Sequence, residues 1–130
     1  MTRLVLAGLA VLAIIYTVPI LVYAAFASFW GMAVPPGSVT IFLTGILLSK
    51  AGTAAAFVGL YALARPRLGR RWIPYAALWY AMFIAGEIGQ AMGPGYTWRE
   101  ALAGGISETV YVPLAAWITA RVAGTQEVQR

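Results

Sequence analysis

Residues 40–64 read TIFLTGILLSKAGTAAAFVGLYALA, a 25-residue run whose only charge, Lys50, lies near its centre. At about 1.5 Å per helical residue the run extends roughly 37 Å, enough to cross a hydrocarbon layer of ~30 Å with some tilt. A lysine at that depth costs about 3 kcal/mol on insertion scales unless it is paired or hydrated. Gly45, Gly52 and Gly59 recur seven residues apart. At ~100° per residue they form one stripe on the side of the helix away from Lys50. Such a helix carries two faces unsuited to lipid, one charged and one of small residues.

Composition extends this reading to the whole chain. Of 130 residues, 62% are hydrophobic and 10% charged, with a mean hydropathy of +0.81. A soluble domain carries about 25% charged residues. A single all-α integral membrane domain over residues 1–130 follows, with no room for a separate soluble domain. The net charge of +5 resides in arginines placed between apolar runs, a pattern of membrane topology rather than of nucleic-acid binding. With no cysteine and no histidine, the chain has no thiol or imidazole chemistry, disulfide, zinc site or histidine-ligated haem. No cofactor and no metal are expected.

Working outward, residues 4–30 form an uncharged run broken only by Pro19, preceded by Arg3. Its AAFAS segment at 24–28 resembles a signal-peptidase site, but the run far exceeds the usual signal core of about 7–15 residues. It is therefore read as a retained first helix, kinked near Pro19, which frees the carbonyl of Ile15. Pro35, Pro36 and Gly37 make a turn. Arg65, Arg67, Arg70 and Arg71 crowd a short connection after the second span. The third span covers 72–92, with Pro74 in its first turn. Gly93, Pro94 and Gly95 close it. Thr97 and Glu100 match a capping box opening the fourth span, 98–123, and the polar tail from Gly124 onward frays.

The expected architecture is a four-transmembrane-helix bundle with spans near 4–30, 40–64, 72–92 and 98–123. Arg3, the four connection arginines, Arg121 and Arg130 then share the side of both termini, against Arg99 alone on the other. That bias places both termini in the cytoplasm of a multi-pass protein, in the cytoplasmic membrane if the source is bacterial.

This topology brings Lys50, Glu87 and Glu108 to similar depths in the outer half of the membrane or near its midplane, with Tyr23 and Tyr111 alongside. Tyr80, Phe83, Glu87 and Gln90 share one face of the third helix. Ala101, Gly104, Glu108, Ala115 and Thr119 share a small-residue face of the fourth, with Tyr111 at its edge. Small residues beside a charge allow close packing that shields it from lipid. Pro113 leaves the carbonyl of Thr109 without its helical donor. A purely structural reading has Lys50 pair with one glutamate to hold the bundle together. That leaves a second carboxyl, and two acids with one base make a site whose charge depends on protonation.

The candidate ligand-binding set is Lys50, Glu87, Gln90, Glu108, Tyr111, Tyr23 and Tyr80, with Lys50 expected in direct or water-bridged reach of a glutamate. Trp72, Trp79, Trp98 and Trp117 read as interfacial anchors. Arg65 to Arg71 read as a topology signal that could also touch anionic lipid. The fragment Gly86-Glu87-Ile88-Gly89 sits inside a helix and is no phosphate loop.

In size and four-helix layout the chain resembles small multidrug transporters, whose essential acid lies in the first span; residues 4–30 contain none. Buried acids in a short helical bundle also resemble steroid-isomerase-like membrane enzymes. Neither resemblance transfers roles to individual residues. Three functions are therefore in view. The first is binding or transport of a small amphipathic or ionised molecule. The second is an intramembrane acid–base enzyme of isomerase or cyclase type, with Glu87 and Glu108 catalytic. The third is a ligand-free accessory subunit. Besides membrane lipids, the expected partner is a second copy packed through Gly45, Gly52 and Gly59, or else the stripe packs on the first or third helix of its own protomer.

Overall fold

A computed structural model describes residues 1–32 and 37–124. The expected turn at Pro35 and Pro36, and the tail from residue 125 with Arg130, lie outside them. The described residues form four helices: α1 (Thr2–Trp30), α2 (Val39–Leu68), α3 (Trp72–Ala91) and α4 (Trp98–Val122), with no strand among them. Three of these, α1, α2 and α4, are long and apolar enough to cross a membrane. In α3 five aromatics and the pair Glu87 and Gln90 dilute the apolar residues.

The ends follow from local chemistry. Gly31 closes α1 in the left-handed region at φ 60°, its N–H bonded to the Ala27 carbonyl, a conformation that favours glycine. Gly69 closes α2 at φ 56°. Pro66 does not end α2: the helix runs on to Leu68, so Arg65 and Arg67 stand in its last turn rather than in a loop. There their charge suits the negative end of the helix dipole. At the start of α4 the capping box forms in full. The Thr97 hydroxyl accepts from the Glu100 N–H at 3.3 Å, and Glu100 Oε2 accepts from the Thr97 N–H at 2.6 Å.

Helix α4 is the hub. It packs along α1 on one side and α3 on the other, while α2 lies along α1 and touches α3 and α4 only briefly. Half of the apolar window of α4 is buried within the protein, against 17% for α1 and α2. The reason is in the sequence: Ala101, Ala103, Gly104, Ser107, Ala115, Ala116 and Ala120 make a slim surface on which larger helices close. By contrast Leu6, Leu9, Leu21, Leu48, Leu63 and Leu78 are exposed on the outer faces, an arrangement that suits lipid surroundings rather than water.

The brief α2–α3 contact is aromatic and lies toward the end carrying Gly69. Phe57 packs against Tyr75 with centroids 5.0 Å apart and against Trp79 at 4.9 Å, and Tyr61 meets Tyr75 at 5.2 Å. Trp79 continues to Phe83 at 5.4 Å, and Phe83 to Tyr111 at 6.0 Å. The hydroxyl of Tyr75 donates to the Phe57 carbonyl and that of Tyr61 to the Gly69 carbonyl. Trp79 is buried in this cluster, so it is a packing residue and not an interfacial anchor. Trp98 and Trp117 are exposed, and Trp72 is half-buried. At the opposite end Arg99 Nη1 donates to the Trp30 carbonyl at 3.0 Å, tying α4 to the last turn of α1. Beyond the aromatic cluster toward that end, α2 and α3 diverge around a cavity.

Candidate functional site

The cavity has a volume of about 710 Å³, within the ~300–1,000 Å³ of small-molecule sites. Its two walls differ. Helices α1 and α2 supply a mostly apolar one, with Pro19, Ile20, Ala24, Ala27, Phe42, Leu43 and Ile46. Helices α3 and α4 and their connection supply a polar one, with Glu87, Gln90, Tyr96, Glu100, Ser107, Glu108 and Tyr111. Tyr23, Ser49 and Lys50 cross this division, bringing polar atoms from the apolar side. A shallow groove on the flank of α2 shares Phe42, Ile46, Ser49 and Lys50 with the cavity, so these side chains are what stands between the two.

Glu87 is held by close backbone approach and a hydroxyl. A methyl group on Gly104 would meet the Glu87 carboxyl carbon and oxygens at 2.5–2.6 Å, so the carboxyl occupies space that only glycine leaves free. Tyr96 donates to Glu87 Oε2 at 2.6 Å, and its oxygen lies 2.7 Å from the hydroxyl of Tyr23, which also reaches the Glu100 carbonyl at 3.0 Å. Gly95, at φ 84°, turns the chain just before Tyr96. These contacts join α1, α3, α4 and the α3–α4 connection at one point. Burial, followed by the bonds to Glu87 and Tyr23, raises the Tyr96 hydroxyl above its ordinary value, so it remains a donor across the neutral range.

Glu108 sits one helical turn from Gly104 and is 4% exposed. It shares the cavity with Glu87, whose carboxyl packs against Gly104, while its Oε2 is buried with no hydrogen-bond partner among the described residues. Ser107 does not serve it, since its hydroxyl donates to the Gly104 carbonyl at 2.7 Å. A buried oxygen without a donor costs about 1–3 kcal/mol.

Lys50 reaches the same space from α2. Among the described residues it has no carboxylate oxygen within 4.0 Å, so the direct ion pair is not formed. Its ammonium instead lies 5.8 Å from the centre of the Tyr111 ring, a cation–π distance. The reason is the splay of α2, which leaves the lysine facing Glu87 and Glu108 across the cavity rather than touching them.

Of the residues singled out in the sequence, Lys50, Glu87, Gln90, Glu108, Tyr111 and Tyr23 all line the cavity. Tyr80 does not: its hydroxyl meets Thr109 Oγ1 at 3.1 Å on an exposed seam between α3 and α4. Sequence reasoning missed Tyr96 and gave Gly104 only as one of several small neighbours of Glu108. Tyr96 lies in a turn, where no periodicity assigns a face. Gly104 carried a usable signal, a glycine one turn from a buried acid. Among the described residues no group of three His, Cys, Asp or Glu is placed to hold a metal ion. Gly45, Gly52 and Gly59 are exposed, and a methyl group on any of them would meet nothing within 4 Å. The stripe faces away from its own protomer. No protein-family model, curated protein or solved structure compared with the chain matches it.

Proposed function

We propose that this is a multi-pass membrane protein that binds a small amphipathic molecule in the cavity, its polar end at Lys50, Glu87 and Glu108 and its lipophilic body against α1 and α2. All four helices cross the membrane in this reading, α3 being sheltered by α4, and both termini are cytoplasmic. The observation that carries it is the unpartnered carboxyl oxygen of Glu108, facing an ammonium without a counter-carboxylate across a two-walled cavity. Intramembrane ionisable groups arranged in this way mark sites more often than struts. A filled, dry interior, as an accessory subunit would have, offers no such space. The molecule reaches the site from the bilayer past Phe42 and Ile46.

The test is thermal unfolding of the protein in lipid nanodiscs against a library of small amphipaths. A ligand at about 100 times its Kd stabilises by roughly 2.7 kcal/mol. Lys50→Met and Glu108→Leu should keep the fold and abolish that shift. Equal shifts in wild type and both variants would refute binding at this site. Uptake into proteoliposomes then separates transport from binding alone.

A second reading, an acid–base enzyme, draws support from two carboxyls lining one cavity inside a single protomer. One carboxyl would protonate a lipophilic substrate while the other accepts a proton. Deuterium incorporation from heavy water into an unsaturated lipophilic probe, lost in Glu108→Leu, is its signature. Assembly as a two-fold dimer through the outward-facing stripe of Gly45, Gly52 and Gly59 accompanies either reading. Gly52→Cys or Gly59→Cys, in this cysteine-free chain, should cross-link two copies in membranes; monomers at every stripe position would defeat the dimer.

A further inference from the structure

We infer that the head group taken by this cavity is a neutral hydroxyl, so the ligand class is a lipophilic alcohol rather than an acid or an amine. The inference rests on the binding reading above and specifies its chemistry. Two ionisable groups at the polar pole present atoms that no carboxylate or hydrogen-bond partner meets among the described residues, so a ligand head group is matched to them first. Lys50 presents N–H donors with no carboxylate within 4.0 Å among the described residues. Glu108 presents Oε2, buried and without a partner. Neighbouring polar atoms are already engaged: Glu87 Oε2 by Tyr96, the Ser107 proton by the Gly104 carbonyl, and Tyr23 by Tyr96 and Glu100.

Charge narrows the choice. Glu87 packs against the turn of α4 that leads to Glu108, and for two carboxyls sharing one desolvated site a single retained proton costs less than two buried charges. With that proton retained, the pair carries one negative charge and Lys50 one positive, so the pole has no net charge to offer an ion. An ammonium head would satisfy Glu108 but bring a second cation against Lys50 with no added anion. A carboxylate head would satisfy Lys50 but place a third carboxyl beside two others. In a desolvated site each such like-charge contact is costly. A hydroxyl accepts from Lys50 while donating to Glu108, and accepts from Glu108 if that oxygen carries the proton. It therefore fits either state of the acid. The apolar wall of Pro19, Ile20, Ala24, Leu43 and Ile46 then holds an aliphatic or alicyclic body.

Photolabelling with competition tests this on the wild-type protein in neutral phosphatidylcholine nanodiscs. The label is a dodecanol carrying a chain diazirine, and the labelled residues are mapped by mass spectrometry. Competitors of equal chain length are dodecanol, laurate and dodecylamine, each corrected for bilayer partitioning. The expected result is labelling of residues lining the cavity, with dodecanol competing at concentrations at least tenfold below the other two. Glu108→Leu should reduce that preference to less than threefold, and Lys50→Met, monodisperse by size exclusion, should do the same. Equal competition by all three, or preference for laurate or dodecylamine, overturns the alcohol assignment while leaving small-molecule binding standing. Cavity labelling absent for the alcohol and for diazirine forms of the acid and the amine overturns the binding reading and this inference together.

Discussion

Two regions of this bundle are rich in tyrosine and arranged oppositely. Toward Gly69, Tyr61 and Tyr75 stack against Phe57 and Trp79 and turn their hydroxyls to backbone carbonyls. There both hydroxyls are spent within the protein, and the rings fill the space between α2 and α3. Toward Gly95, Tyr23 and Tyr96 turn their hydroxyls to each other and to Glu87, and α2 stands away. The first region is a clamp and the second a cavity held open. The difference lies in the partners: ring against ring closes α2 on α3, whereas hydroxyl against carboxyl ties α1, α3 and the α3–α4 connection together and leaves α2 out.

The largest effect is expected in the clamp. Phe57→Ala removes the ring shared by Tyr75 and Trp79 and should cost about 3–5 kcal/mol, read as a fall in melting temperature in detergent. A change below about 1 kcal/mol would show that α2 is held by α1 alone and that the clamp is not structural.

Next comes the hydroxyl network. Tyr96→Phe deletes the donor to Glu87 and a partner of Tyr23, at a cost of about 1 kcal/mol because a half-buried acceptor loses its donor. This difference also has a pH dependence. The folded Tyr96 hydroxyl ionises above its ordinary value, so its contribution is complete below about pH 10 and is lost as pH rises further. Wild type and Tyr96→Phe should therefore differ by a constant amount through neutral pH and converge in alkali. A gap that widens in alkali would contradict the donor role.

A smaller effect on stability, though a larger one on ligand, is expected from Gly104→Ala. The added methyl falls on the end of a flexible side chain, so the carboxyl can swing aside at a cost of about 1 kcal/mol or less. Affinity for whatever binds should nevertheless drop about tenfold, since Glu87 loses its place. A calorimetric titration showing unchanged affinity would remove Glu87 from the site.

The smallest change in folding is expected from Glu108→Leu. It replaces an unpartnered buried carboxyl by a side chain of similar length, and stability should hold or rise by about 1 kcal/mol. Strong destabilisation would turn the comparison around, making the cavity acids part of the scaffold.

Much of this was legible in the chain itself. Periodicity and hydropathy gave four helices and their ends within a few residues, because runs above 20 residues, glycine stops and the Thr97–Glu100 box are local signals. The rarity of charge inside apolar runs singled out Lys50, Glu87 and Glu108 for the same local reason. The small face of α4 could also be read, since it needs only the helical repeat, whereas the chain left open whether the glycine stripe of α2 turns outward or packs within its own protomer. Tertiary structure decided what lies between helices. Trp79 reads as an anchor until Phe57 is placed beside it. Tyr80 shares a helical face with Glu87 yet ends on a seam with Thr109, because a face is wider than a cavity. Lys50 could as well have touched a glutamate as faced one across a gap; the distance depends on how far α2 splays. Tyr96 joins the site only through the turn at Gly95. The chain determines which groups must leave lipid, because that cost belongs to each residue. Which of them meet is settled by helix separation, a property of the packed ensemble of side chains and of no single segment.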